Sequence, residues 1–183
     1  LTRMVSGYGA EAIATQRVGG QIESVSWNTA DGFGAALNAF IAQNYGAGKN
    51  DRVRKGYKAS LWTVGIWGVL ISVIFICFPE PIAQIFFHEP KAIATAMGYL
   101  VIIGFSEAFM CVELTTVGAL SGLGRTRLCS IISIAFTSAR IPLAILLGGI
   151  MGLNGIWWAL SSTSIVKGII FTSTFLWITR KRR

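Results

Sequence analysis

The sequence predicts an all-α membrane protein with five full transmembrane helices and the end of a sixth. Three observations carry that expectation. Of the 183 residues, 53% are hydrophobic and only 13% charged, whereas soluble domains carry about 25% charged residues. Mean hydropathy is +0.61, and the apolar residues gather into runs close to the roughly 20 residues that cross a hydrocarbon core. The formal net charge of +8 sits in short basic blocks between those runs and forms no continuous face, which excludes a nucleic-acid partner. Composition also excludes intrinsic disorder and a cytosolic enzyme.

Residues 1–20 read as the end of a preceding transmembrane helix and an outer loop. The chain begins on Leu1 without the charged-then-apolar pattern of a signal peptide, so it is expected to belong to something longer. Residues 21–45 hold Glu23, Asn28, Asp31, Asn38, Gln43 and Asn44, too many polar groups for a lipid-facing span. Their pattern is nevertheless helical. Ser24, Asn28, Asp31, Ala35, Asn38, Ala42 and Tyr45 recur at spacings of three and four, a polar and small stripe suited to a transmembrane helix that lines an aqueous cavity.

Residues 59–79 are the clearest span, since Leu61 to Phe78 carries no charge. Residues 93–120 are apolar as far as Phe105 and then hold Glu107 and Glu113. Spans at 128–150 and 156–178 contain one charge each, Arg140 and Lys167. Residues 180–183 form a basic tail. Pro142, in mid-span, is expected to bend its helix where neighbours or water repair the lost hydrogen bond.

Lysine and arginine set the orientation, because cytoplasmic loops carry their excess. Eleven of the 16 basic residues lie in the loop after the polar helix, in the loop before Leu128 and in the tail. The alternate side has only Arg3, Arg17 and Lys91, so the C-terminus is expected in the cytoplasm. Trp157 and Trp158 stand about 30 Å from Trp177 along one helix, the separation of two interfacial aromatic belts.

Smaller signals receive plain readings. Cys77, Cys111 and Cys129 are odd in number and widely spaced, so they read as small apolar residues rather than a disulfide or zinc framework. The pairs Gly118/Gly122 and Gly148/Gly152 sit at span ends and read as loop turns. His88 reads as a surface residue without a metal. No serine, cysteine or aspartate constellation supports hydrolysis, and no cofactor is expected.

Several stretches together resemble the multidrug and toxic compound extrusion (MATE) transporters. These are Gly32-Phe33-Gly34-Ala35-Ala36, then Gln43-Asn44-Tyr45-Gly46-Ala47-Gly48-Lys49 with Arg52-Val53-Arg54, then Gly118 to Thr126, then Arg140-Ile141-Pro142-Leu143-Ala144, then Gly152 to Trp157. Ser121 and Arg125 stand where that family's loop has arginine and aspartate. The resemblance spans nearly all of residues 16–179 and implies the second lobe of a twelve-helix transporter, with residues 21–179 forming its helices. It also implies both termini in the cytoplasm, in agreement with the basic-loop count, and a multi-pass protein of the plasma (inner) membrane.

Charges at the bilayer centre cost several kcal/mol, so each needs a partner, a cavity or a role. Asp31, Glu107, Arg140 and Lys167 all fall within about one turn of their span midpoints. One expectation pairs Arg140 and Lys167 with Asp31 and Glu107 in buried ion pairs. The other gives the acids to coupling, since an antiporter needs a carboxylate whose protonation or ligation differs between conformations. Glu107 and Glu113 lie about 120° apart around their helix and about 9 Å along it, so they cannot share one face.

The resemblance implies a cation-binding carboxylate network, with one carboxylate aligned near Met110. Glu113 is the substitute three residues on, with Asp31 second and Glu107 third. Asn28, Asn38, Arg140 and Lys167 complete the expected polar network. The expected activity is efflux of small cationic or amphipathic molecules coupled to H+ or Na+. Its partners would be the lipid bilayer and the N-terminal lobe of the same longer chain. Two alternatives remain, an exporter or flippase of lipid-linked saccharides and a non-transporting half-transporter subunit.

Overall fold

The computed structural model describes residues 2–180, so 181–183 of the expected basic tail lie outside the described residues. A short helix α1 (Thr2–Val5) and a 3-10 turn (Ser6–Tyr8) lead into α2 (Ala10–Gly46). There follow α3 (Asn50–Cys77), α4 (Pro79–Phe86), α5 (Pro90–Gly122), α6 (Thr126–Met151) and α7 (Leu153–Arg180). Among the described residues there is no strand. Four helices, α3, α5, α6 and α7, are long and apolar enough to cross a membrane; the long polar α2 stands beside them.

The hub is α5, which packs on α2, α3 and α7. Of its most apolar stretch 56% is buried, against 6% for α6. A helix apolar on all sides seeks the interior, and α5 satisfies that with Leu100, Ile102 and Ile103 buried against Phe75, Tyr99 and Trp157. Towards the basic end a second cluster joins Leu37, Ile41, Tyr57, Leu120, Phe171 and Phe175. The α6 helix is held mainly by α7. Pro79 and Pro90 open α4 and α5, where the missing proline N–H has no intrahelical partner to lose.

In its helices the structure differs from the sequence reading in three places. α2 begins at Ala10 and runs 37 residues, replacing the loop expected up to residue 20. Ala10, Glu11, Ala12 and Ala14 are strong helix formers, and hydropathy does not report helical continuity. α4 was not anticipated: its eight residues are too short to show a clear period, and the helix forms by laying Ala83 and Ile82 onto the core. The third difference concerns Gly118 and Gly122, which are close-approach positions inside a helix rather than loop turns. A Cβ at Gly118 would lie 2.2 Å from the Gly34 carbonyl oxygen, and one at Gly122 would lie 2.6 Å from that of Asn38. Small residues let membrane helices touch backbone to backbone.

Gly118→Leu is therefore expected to force α2 away from α5 and to lower stability by about 2 kcal/mol or more. A thermal melt of the detergent-solubilised protein reads this out as a fall in midpoint. An unchanged midpoint would mean that the backbone contact is not a packing constraint.

Candidate functional site

α2 buries a face made of Gly19, Glu23, Ser26, Ala30, Gly34, Leu37, Ile41 and Asn44. That face meets α5 and turns the neighbouring polar stripe toward a groove. The groove runs between α2 on one side and α6 and α7 on the other, with α5 as its floor, and encloses about 500 Å³. It gathers Asn28 and Asp31 from α2, Glu113 from α5, Arg140 from α6 and Lys167 from α7.

Lys167 Nζ lies 2.5 Å from Glu113 Oε1, with both side chains about nine-tenths buried. The Arg140 Nε donates to Thr163 Oγ1 at 2.9 Å, and its Nη2 donates to Ser164 Oγ at 3.2 Å. Among the described residues no carboxylate comes within ion-pairing distance of Arg140. The pairing of Arg140 and Lys167 with Asp31 and Glu107 is thus overturned. The acid that faces the bases is Glu113, and Arg140 turns to hydroxyls on α7 because α6 packs mainly on that helix.

Asp31 is exposed on the groove wall. Glu107 lies outside the groove, fully buried, and neither of its carboxylate oxygens has a hydrogen-bond partner among the described residues. The angular separation of Glu107 and Glu113 explains the split, because only one of them can face α7. Asn38 does not line the groove either; it lies half-buried, one turn beyond Gly34, at the α2–α5 contact with Gly122.

Glu23 is the site residue that the sequence reading passed over. It is buried, lines the groove and accepts a hydrogen bond from the Tyr99 hydroxyl. The Tyr99 ring packs edge-on against Trp157 at 5.0 Å. It also lies directly over Gly19, where a Cβ would stand 2.1 Å from the ring. A signal was present: Glu23 interrupts a run of small residues at spacings of three and four, the mark of a packed helix face. Two further groove residues, Gln16 and Trp27, present buried side-chain Oε1 and Nε1 atoms without a hydrogen-bond partner among the described residues. Buried polar atoms are normally satisfied, so the groove offers bonding capacity to an occupant.

The sequence model of the MatE family matches residues 1–146. The chain belongs to the MatE family. It is 33% identical over 173 residues to the probable multidrug resistance protein NorM of Thermotoga maritima, a match covering 91% of this chain and 35% of that protein. It is 26% identical over 159 residues to the FAD transporter of Shewanella oneidensis, covering 86% of this chain and 35% of the relative. The chain thus spans about a third of the length of these MatE relatives. In fold it matches the crystal structure of the Vibrio cholerae MATE transporter VcmN in the bent form, with a TM-score of 0.90 at 19% identity. That match covers 98% of this chain and 41% of VcmN. Its relatives in the MatE family are membrane transporters rather than enzymes, and the chain's apolar helices assign it to the membrane as well.

Within this MatE chain, Lys167→Ala would leave the Glu113 carboxylate buried without its cation. Breaking one side of such a pair costs about 3–5 kcal/mol, whereas removing both charges is often near neutral. The expected result is a large loss of thermal stability for Lys167→Ala and recovery in Lys167→Met with Glu113→Gln. Equal stability of the single and double variants would show that the pair carries no coupling.

Proposed function

We propose that the protein exports small cationic or amphipathic molecules by antiport against protons or sodium. Its groove forms one half of a cavity that opens alternately to the two sides of the plasma (inner) membrane. The observation that carries this reading is a polar groove, of a volume usual for small-molecule sites, that brings three carboxylates and two bases together between the polar α2 and the apolar helices α5, α6 and α7. Coupling requires a carboxylate whose partner changes between conformations. Glu113 suits that role, since a proton or sodium ion taken by its carboxylate would compete with Lys167. Asp31, exposed on the groove wall, is the second such group. Glu23 joins them through its place in the groove, and Glu107 is reached only if the α2–α5 contact loosens.

The same reading puts the C-terminus in the cytoplasm, supported by the basic segments 49–58 and 125–127, which include the starts of α3 and α6 and lie at the same end of the helices as Arg180. The N-terminal lobe of the same longer chain would supply the facing half of the cavity. A second reading is favoured by one observation: Arg140, without a carboxylate partner, suits cargo that bears an acidic group. FAD, named in the description of one relative, and the lipid-linked saccharides considered above are cargo of that type.

The test is transport by the intact protein in proteoliposomes, with a lipophilic cationic dye and an imposed proton or sodium gradient. Dye movement driven by one gradient, abolished by Glu113→Gln and strongly reduced by Asp31→Asn, is the expected result. Unimpaired transport in both variants would remove the coupling assignment. Absence of dye movement under either gradient, with movement of an acidic cargo, would replace the first reading by the second.

A further inference from the structure

α3 and α7 both pack on α5 and leave a furrow between them on the outer surface of the helices. They run antiparallel, since Arg54 at the start of α3 donates to the Thr179 carbonyl at the end of α7. The furrow encloses about 660 Å³ and is walled by Leu61, Ile66, Val69 and Ile169 over a floor of Phe109 and Val112. Gly65 leaves its α3 wall open, since a Cβ there meets nothing within 4 Å, and Gly168 lets α7 approach the Phe109 backbone of the floor, 2.7 Å from where its Cβ would stand. At its basic end a second cavity, of about 520 Å³, is lined by Arg54, Lys58 and Arg180 together with Tyr57, Phe175 and Leu176. Among the described residues no carboxylate lines either cavity. Lys58 and Arg180 are exposed and make no ion pair among the described residues.

We infer that this seam binds one anionic phospholipid, its phosphate held by Lys58, Arg180 and Arg54 and one acyl chain laid along the furrow. Three dimensions agree with that occupant. From Lys58 to Val69 the furrow descends about 16 Å at 1.5 Å per residue, which matches one leaflet of a core about 30 Å thick. Its walls are apolar where a chain would lie, and Ile66 and Ile169 are 64% and 51% exposed. Its cations cluster only at the end where a headgroup would sit, and basic pockets between helices on the cytoplasmic side select anionic headgroups. The bond from Arg54 to the end of α7 keeps the two walls in register, so the headgroup cavity is already formed without its ligand. The site is separate from the groove, since none of its residues lines both.

The test uses the intact protein in phosphatidylcholine bilayers with spin-labelled phosphatidylglycerol or phosphatidylcholine, the motionally restricted lipid being read by electron paramagnetic resonance. Preference for phosphatidylglycerol is expected. Lys58→Gln and Arg180→Gln should each lower it, by about fivefold per cation removed. Gly65→Leu fills the furrow without a clash, as a Cβ there meets nothing within 4 Å, and should displace the restricted lipid with all charges in place. Lys49→Gln with Arg127→Gln removes two cations from the same end outside the seam and should leave the preference intact. The inference is overturned if the control pair acts as strongly as the seam variants, if Gly65→Leu has no effect, or if excess inorganic phosphate displaces the label.

Discussion

α2 touches α5 backbone to backbone at Gly34 and Gly118, and the rest of the site depends on that contact. Within a bilayer, two apolar helices gain little by leaving lipid for each other, so close fit and hydrogen bonds must hold them. α2 is the helix least suited to lipid, and its small-residue face is what lets it stay. Once that face is docked, helical geometry places every other residue of α2. Glu23 and Ser26 turn inward, with the Ser26 hydroxyl 3.1 Å from Cys111 Sγ, while Asn28 and Asp31 turn to the groove. A polar helix at the side of an apolar hub thus becomes the wall of a cavity.

Charge follows from the same placement. Four ionisable residues lie near mid-span in the sequence, yet the structure neutralises only one base with an acid. Lys167 takes Glu113, and Arg140 is left to two hydroxyls on the neighbouring helix. An arginine satisfied by neutral oxygens keeps its full charge and several donors for an occupant. The two bases are therefore different chemical groups despite their common depth. One is occupied until something competes for its carboxylate, and the other is available.

Much of the fold was legible from hydropathy, because four spans announce themselves by length and composition alone. The fifth helix was legible by period, yet its first 11 residues were not, since neither hydropathy nor a cap marks Ala10 as a start. The site was legible in content but not in pairing. Depth along each span identified Arg140, Lys167, Asp31 and Glu107 as residues needing an explanation. Partners, however, depend on the rotation of each helix about its axis relative to neighbours, which one helix's pattern does not contain. Glu107 illustrates this: its depth matches the bases and its face does not. Glu23 shows the converse, a carboxylate hidden within a packed stripe that a search for polar stripes passes by.

The uneven burial of the helices bears on how such a unit moves. α5 is fixed by three neighbours, whereas α6 rests mainly on α7 and is joined to it through the single residue Gly152. Arg140 rides on α6, and its hydrogen bonds go to Thr163 and Ser164 on α7. A displacement of α6 would therefore act first on Arg140 and α7, and only through Lys167 on Glu113. The same α7 forms one wall of the α3–α7 furrow, with Gly168 there following Lys167 directly in the chain. Groove and furrow thus share a helix, and a group seated in either one bears on the position of α7 felt by the other. Coupling of that kind needs no contact between the two occupants, only a common rigid element whose position both of them bias.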